Sequence, residues 1–187
     1  MGRFYVDRRF FQGKAAKWVS FESTAALKNT KKDIYGKCVP CITNLYEQLK
    51  EGRSQIRLGQ ALTCWKIVAV MDDEQQCMEV LEVFEKRFLG NRQLKGRFGS
   101  ADAVKKTRVI VFNVEGEKER KRLFKEMKAS VEAVNARSTV SYHRACAELY
   151  HDLLGDWRRW KETETVKRPE LVDVLLERIR KMLYWET

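Results

Sequence analysis

Cysteine and histidine are the residues of this chain most suited to chemistry, and four of them stand in two short pairs. Gly36-Lys-Cys38-Val-Pro-Cys41 sets two thiols two residues apart, and His143-Arg-Ala-Cys146 repeats that spacing about a hundred residues later. Two ligands so spaced can bite one tetrahedral metal ion, so Cys38, Cys41, His143 and Cys146 form a candidate zinc site. The Cys38/Cys41 pair alone also suits dithiol redox chemistry. Pro40 fits the first turn of a helix, and a helix N-terminus lowers a thiol's pKa. No strand with a tight turn leads into the motif, as a thioredoxin-like unit would require. The plain reading is that these thiols pack in a core, because cysteine is among the most buried residue types. The total of five cysteines, odd and scattered, points to free thiols in a reducing compartment and away from a disulfide scaffold.

A second group is acidic. Asp72 and Asp73 follow one apolar run and Glu115 ends another. Carboxylates at the ends of two neighbouring strands could hold Mg²⁺ for a nuclease or a phosphoryl-transfer enzyme. Helix capping explains the same residues and is the favoured reading, since a carboxylate accepts from free N–H groups and opposes the helix dipole. The chain has no glycine-rich phosphate loop, and two histidines do not assemble a nucleophile, base and orienting acid. The balance leans away from an enzyme.

The third group is basic. Lys and Arg number 37 against 26 Asp and Glu, a net charge of +11. Residues 1–60 carry 12 basic and 5 acidic side chains, and residues 101–150 carry 11 and 7, while the remaining blocks balance. A surplus gathered in two blocks suits a phosphate backbone. Arg8, Arg9, Lys14, Lys31, Lys32, Lys105, Lys106 and Arg108 are the candidate contacts. Phe4, Tyr5, Phe10, Phe11, Trp18 and Phe21 interleave with the first of these. Rings that stack on unpaired bases favour RNA over DNA, although the same rings suit an arm packed across a sheet. Lys95-Gly-Arg-Phe-Gly99 resembles part of the RNA-recognition-motif octamer, with Ser100 and Ala101 where aromatic residues would follow.

These groups need a scaffold. Cys64–Met71 is short, β-rich and apolar at both alternating positions, as expected of a buried strand. A helix is expected from about Asp73 to Leu89, with Cys77, Leu81, Phe84 and Phe88 on one face. Leu94–Phe98 reads as an edge strand and Thr107–Val114 as a second buried strand. Gly116 turns the chain into a helix with Phe124, Met127, Val131 and Val134 on one face, ended by Asn135. Ser138–Tyr142 reads as a last strand. The order implies an α+β fold, a ferredoxin-like β-α-β-β-α-β core with an N-terminal extension and C-terminal helices. The alternative is a three-layer, mostly parallel α/β sheet. The boundaries read as 1–61 for a basic, aromatic extension carrying the CxxC helix, 62–144 for the core, and 145–187 for helices packed on it. Those are a helix from Ala145 to about Trp160, weakened or ended early by Gly155, and a terminal helix striped by Val172, Leu175, Ile179 and Met182.

No window of 18 apolar residues predicts a membrane span, and the first twenty residues lack a secretory apolar region. A cytoplasmic location follows, with an organelle-targeting N-terminus as the weaker alternative. The favoured function is a non-enzymatic, RNA-associated protein, for instance a ribonucleoprotein subunit. The alternatives are the Mg²⁺-dependent enzyme and a homodimeric protein-interaction scaffold whose apolar sheet faces meet.

Overall fold

A computed structural model describes residues 5–10, 17–22, 39–88, 95–98 and 108–184. It is an α+β structure whose contacts divide the chain into two units. The first comprises residues 1–33 and 65–142, and the second residues 34–64 and 143–187. This division crosses the sequence-based boundaries: the helix after Cys38 joins the C-terminal helices in the second unit.

The first unit is built on a six-stranded sheet. Its strands are β1 (Tyr5–Phe10), β2 (Lys17–Glu22), β4 (Cys64–Met71), β5 (Lys95–Phe98), β6 (Arg108–Glu115) and β7 (Thr139–Arg144). They lie in the order β1-β2-β5-β6-β4-β7. The pairs β1/β2, β2/β5 and β5/β6 are antiparallel, so the mostly parallel alternative does not hold. Two expectations change with this topology. Part of the N-terminal extension forms a hairpin in the sheet, and β5 lies inside the sheet because that hairpin adds beyond it.

Strand β4 has the limits expected from its sequence, but its two faces differ. Trp65, Ile67, Ala69 and Met71 are buried, whereas Cys64, Lys66, Val68 and Val70 are half-buried. The dry face packs against α2 (Glu74–Phe88) and α3 (Glu117–Ala133) in one cluster. Cys77, Val80, Leu81 and Phe84 enter it from α2, and Leu123, Met127 and Val131 from α3. The centre of α3 is Leu123, with Phe124 only partly buried beside it. Phe84 stacks on Phe112 of β6 with ring centroids 5.0 Å apart.

Gly116 opens α3 at φ 78°, ψ 156°, a backbone region in which a side chain is strained. Asn135 closes it at φ 52°. The Asn135 N–H donates to the Glu132 carbonyl and the Ala136 N–H to the Val131 carbonyl, the two bonds of a Schellman turn.

The second unit packs α1 (Val39–Lys50), α4 (Ala147–Leu154) and α5 (Val172–Tyr184) with a two-stranded antiparallel ladder, β3 (Gln55–Arg57) and β8 (Thr163–Thr165). Leu45, Leu49, Ile56, Leu58, Tyr150, Leu153, Leu154 and Ile179 form its dry centre. The buried Gln48 amide behaves as a piece of strand. It accepts from the Arg57 N–H at 2.8 Å and donates to the Arg57 carbonyl at 3.0 Å. The helix expected to reach Trp160 ends at Leu154. Gly155 takes φ 76° there and donates to the His151 carbonyl. Asp156 then caps a short 3-10 turn, Trp157–Arg159, by accepting from the Arg158 N–H. No helix among the described residues is long and apolar enough to cross a membrane.

Candidate functional site: a buried thiol pair and a basic helix face

Cys41 is the third residue of α1, after Val39 and Pro40. Proline suits that first turn because its missing N–H has no helical acceptor to satisfy. Cys146 sits at the N-cap of α4, where its carbonyl accepts from the N–H groups of Leu149 and Tyr150. Both thiols therefore lie at helix N-termini, where the dipole favours negative charge. Both belong to one buried cluster, where the neighbouring Cys146 thiol holds the Cys41 thiol below the ordinary range against the opposing effect of burial. Cys41 is 3% exposed and Cys146 7%.

Tyr150 ties the two helix ends together. Its hydroxyl donates to the Cys41 carbonyl at 2.8 Å, and its N–H bonds the Cys146 carbonyl at 3.1 Å. Burial first, then the negative charge of Cys146 and Cys41, pushes the Tyr150 phenol well above its ordinary pKa, so it stays neutral and a donor. Trp160 packs against this ring and donates its indole N–H to the Gly155 carbonyl, so it serves as an anchor of the chain after α4.

Of the four residues of the candidate zinc site, Cys38 lies outside the described residues. Cys41 and Cys146 come together. His143 is half-buried at the end of β7, with Nδ1 hydrogen-bonded to the Arg144 carbonyl at 2.8 Å. Among the described residues no three His, Cys, Asp or Glu side chains group as metal ligands.

Of the acidic candidates, Asp73 takes a local role. Asp73 caps α2: its side chain accepts from the Gln76 N–H at 2.8 Å, while the Asp72 N–H donates to the Gln76 side chain. Asp72, Asp73 and Glu115 are all exposed, at the ends of the neighbouring strands β4 and β6. The local rule, an acid just before an amphipathic run, accounts for Asp73.

Of the basic candidates, Arg8 and Arg9 lie on β1 and Arg108 begins β6. Lys14, Lys31, Lys32, Lys105 and Lys106 lie outside the described residues. The sequence reading passed over a basic face on α3. Lys118, Lys121, Arg122, Lys125 and Lys128 are exposed on the side opposite Leu123, Met127 and Val131. Their i, i+3, i+4, i+7, i+10 spacing was the available signal, and it runs ~15 Å along the helix. Lys121 contacts Glu117 at 3.7 Å, whereas Lys118, Lys125 and Lys128 carry no ion pair among the described residues.

Arg120, one turn into the same helix, points the other way. It is buried, lies 3.9 Å from the Tyr142 ring centroid and 4.8 Å from that of Trp65, and is forked onto Glu117 through Nε and Nη2. The Glu117 carboxylate raises its pKa further, so the cation is fixed. Arg120 is thus a structural cation, unlike its neighbours on the exposed face.

Comparison with protein-family models, with curated proteins and with solved structures finds no significant match to this chain.

Proposed function

We propose that this chain is a non-enzymatic, RNA-associated protein, such as a ribonucleoprotein subunit, that grips phosphate backbone through a basic surface. One observation carries the reading. The exposed face of α3 gathers five cations on a rigid helix, three of them without an acidic partner among the described residues. Lysines on one helix face present their charges from a fixed backbone and release counterions from the phosphates they neutralise. The excess charge of +11 adds long-range attraction. Within the same proposal, the run β4-α2-β5-β6-α3-β7 is a ferredoxin-like unit extended by the β1/β2 hairpin. Support for that comes from the strand order β5-β6-β4-β7. A cytoplasmic, reducing location belongs to the reading too, because the described cysteines are free.

The test is fluorescence anisotropy with a labelled single-stranded RNA over a salt series. Affinity should fall linearly in log–log form, and Lys118→Glu/Lys121→Glu/Lys125→Glu/Lys128→Glu should lower it at least tenfold and flatten the slope. Affinity that is flat in salt, or unchanged in the charge-reversed protein, would reject the proposal for this face. Equal affinity for single-stranded DNA of the same sequence would remove the preference for RNA.

A further inference from the structure

The two edges of the β3/β8 ladder in the second unit are finished differently. Backbone bonds run from the Val166 N–H to the Ser54 carbonyl and from the Leu58 N–H to the Glu162 carbonyl, and Ile56 stands opposite Glu164 between them. The alternate residues therefore turn their backbone groups away from the ladder. On β3 the Arg57 N–H and carbonyl are closed off by the Gln48 amide. On β8 the outward groups belong to Thr163 and Thr165, both exposed, and their N–H groups have no partner among the described residues.

The side chains follow the same alternation. Ile56 and Leu58 are buried in the core of the unit, and Glu164 and Val166 are half-buried. Gln55, Arg57, Thr163 and Thr165 are all exposed on the other face. Arg57 stands opposite Thr163, and exposed Lys161 precedes Thr163 by two residues, so two cations flank one free N–H. Neither cation has an ion pair among the described residues, whereas Arg53 is held by Glu51 at 2.6 Å. We propose that this outer face and open edge of the β3/β8 ladder form a second RNA-backbone contact, in which Arg57 and Lys161 neutralise phosphates and Thr163 and Thr165 donate N–H and hydroxyl groups to phosphate oxygens. The inference rests on the RNA reading above and adds a surface on the second unit to the α3 face of the first.

The chemistry of the strip suits a phosphate chain. Ionised phosphate oxygens only accept, and the strip offers two backbone N–H groups, two hydroxyls, a guanidinium and an ammonium. Thr163 and Thr165 repeat about 7 Å apart along one edge, so the donors form a line. An edge of three residues is a poor template for a further protein strand. The Arg57 backbone is held by the Asn44 and Gln48 amides at 2.8–3.0 Å, so its charge springs from a fixed point. The neighbouring acids set the direction. Glu47 and Glu51 of α1 border a recess with Arg53 and Arg57, and their charge turns a polyanion away from α1 and toward β8. Glu164, on the inward alternation, accepts from the Lys161 N–H at 2.7 Å.

The experiment follows the anisotropy of a labelled single-stranded RNA with the full chain over a salt series. Arg57→Gln/Lys161→Gln should lower affinity roughly threefold or more and flatten the log–log slope by about 1.4, the value for two phosphates on a single strand. Thr163→Pro removes one N–H at a solvent-facing edge position, where proline is tolerated, and should lower affinity with the slope unchanged. Lys50→Gln/Arg178→Gln neutralises two exposed cations elsewhere on the second unit and should change neither quantity. Equal losses in that control, or native affinity and slope in Arg57→Gln/Lys161→Gln, would overturn the proposal. In the latter case a loss confined to the charge-reversed α3 face leaves the RNA reading standing, whereas a native chain that binds no RNA removes both.

Discussion

Tyr150 donates its hydroxyl to the Cys41 carbonyl across 109 residues of sequence, and the bond is 2.8 Å long in a fully buried setting. A long aromatic side chain thereby reads the backbone at the start of one helix from within another. It ties the start of α1 to the start of α4.

Tyr150→Phe should cost about 1 kcal/mol, the net worth of one buried hydrogen bond, while Tyr150→Ala should cost about 3–5 kcal/mol through the cavity it leaves. The pH dependence has a definite sign. The folded-state phenol titrates above the unfolded value of about 10, so the neutral form is favoured by folding. That contribution is complete below pH ~10 and is lost as pH rises beyond it. Urea midpoints of the native chain and Tyr150→Phe should therefore converge above pH ~10. A constant gap across that range would contradict a buried, neutral donor.

Arg120 should be the most sensitive cation of the first unit. Arg120→Ala removes contacts with both the Tyr142 and Trp65 rings and the fork onto Glu117, and should cost at least ~2 kcal/mol in chemical denaturation. Arg120→Lys keeps the charge but loses the planar fork, and should cost about 1 kcal/mol. Glu117 is half exposed, so Glu117→Gln should cost less than ~1 kcal/mol. If Lys restores full stability, the guanidinium geometry is not what matters there.

Gln48 should be needed for the ladder of the second unit. Gln48→Leu fills the space but leaves the Arg57 N–H without its acceptor, while the Arg57 carbonyl keeps the Asn44 amide at 2.8 Å, at a cost of about 1–3 kcal/mol. Gln48→Glu keeps the acceptor for the Arg57 N–H and loses the donor, so it should fall between. Amide exchange at Arg57 should accelerate in Gln48→Leu and not in Gln48→Glu. Unchanged protection in both would show that the β3/β8 pairing stands without this side chain.

Much of the scaffold was legible because it is written in local periodicity. The unbroken apolar, β-rich run over Cys64–Met71 set the limits of β4, and the acid ahead of Gln75 and Gln76 marked the start of α2. Gly116 and Asn135 bracketed α3 because left-handed or similarly strained backbone is open to few residue types. Local pattern did not reveal that Tyr5–Phe10 and Lys17–Glu22 would join the sheet and turn β5 into an inner strand. Strand pairing depends on a partner distant in sequence, and a two-residue period does not name one.

The chemistry divides in the same way. The sequence by itself determined that Cys41 would open a helix and that an excess of positive charge would need an outlet, since both follow from neighbouring residues and composition. Tertiary structure alone decided that Cys146 would share a core with Cys41 while His143 turned to a neighbouring carbonyl, and that Arg120 would be buried between two rings while Lys121 and Arg122 faced water. The physical reason is burial. Which face of each helix is removed from water is set by the element packed against it, and that choice separates a structural thiol, acid or cation from one available for chemistry.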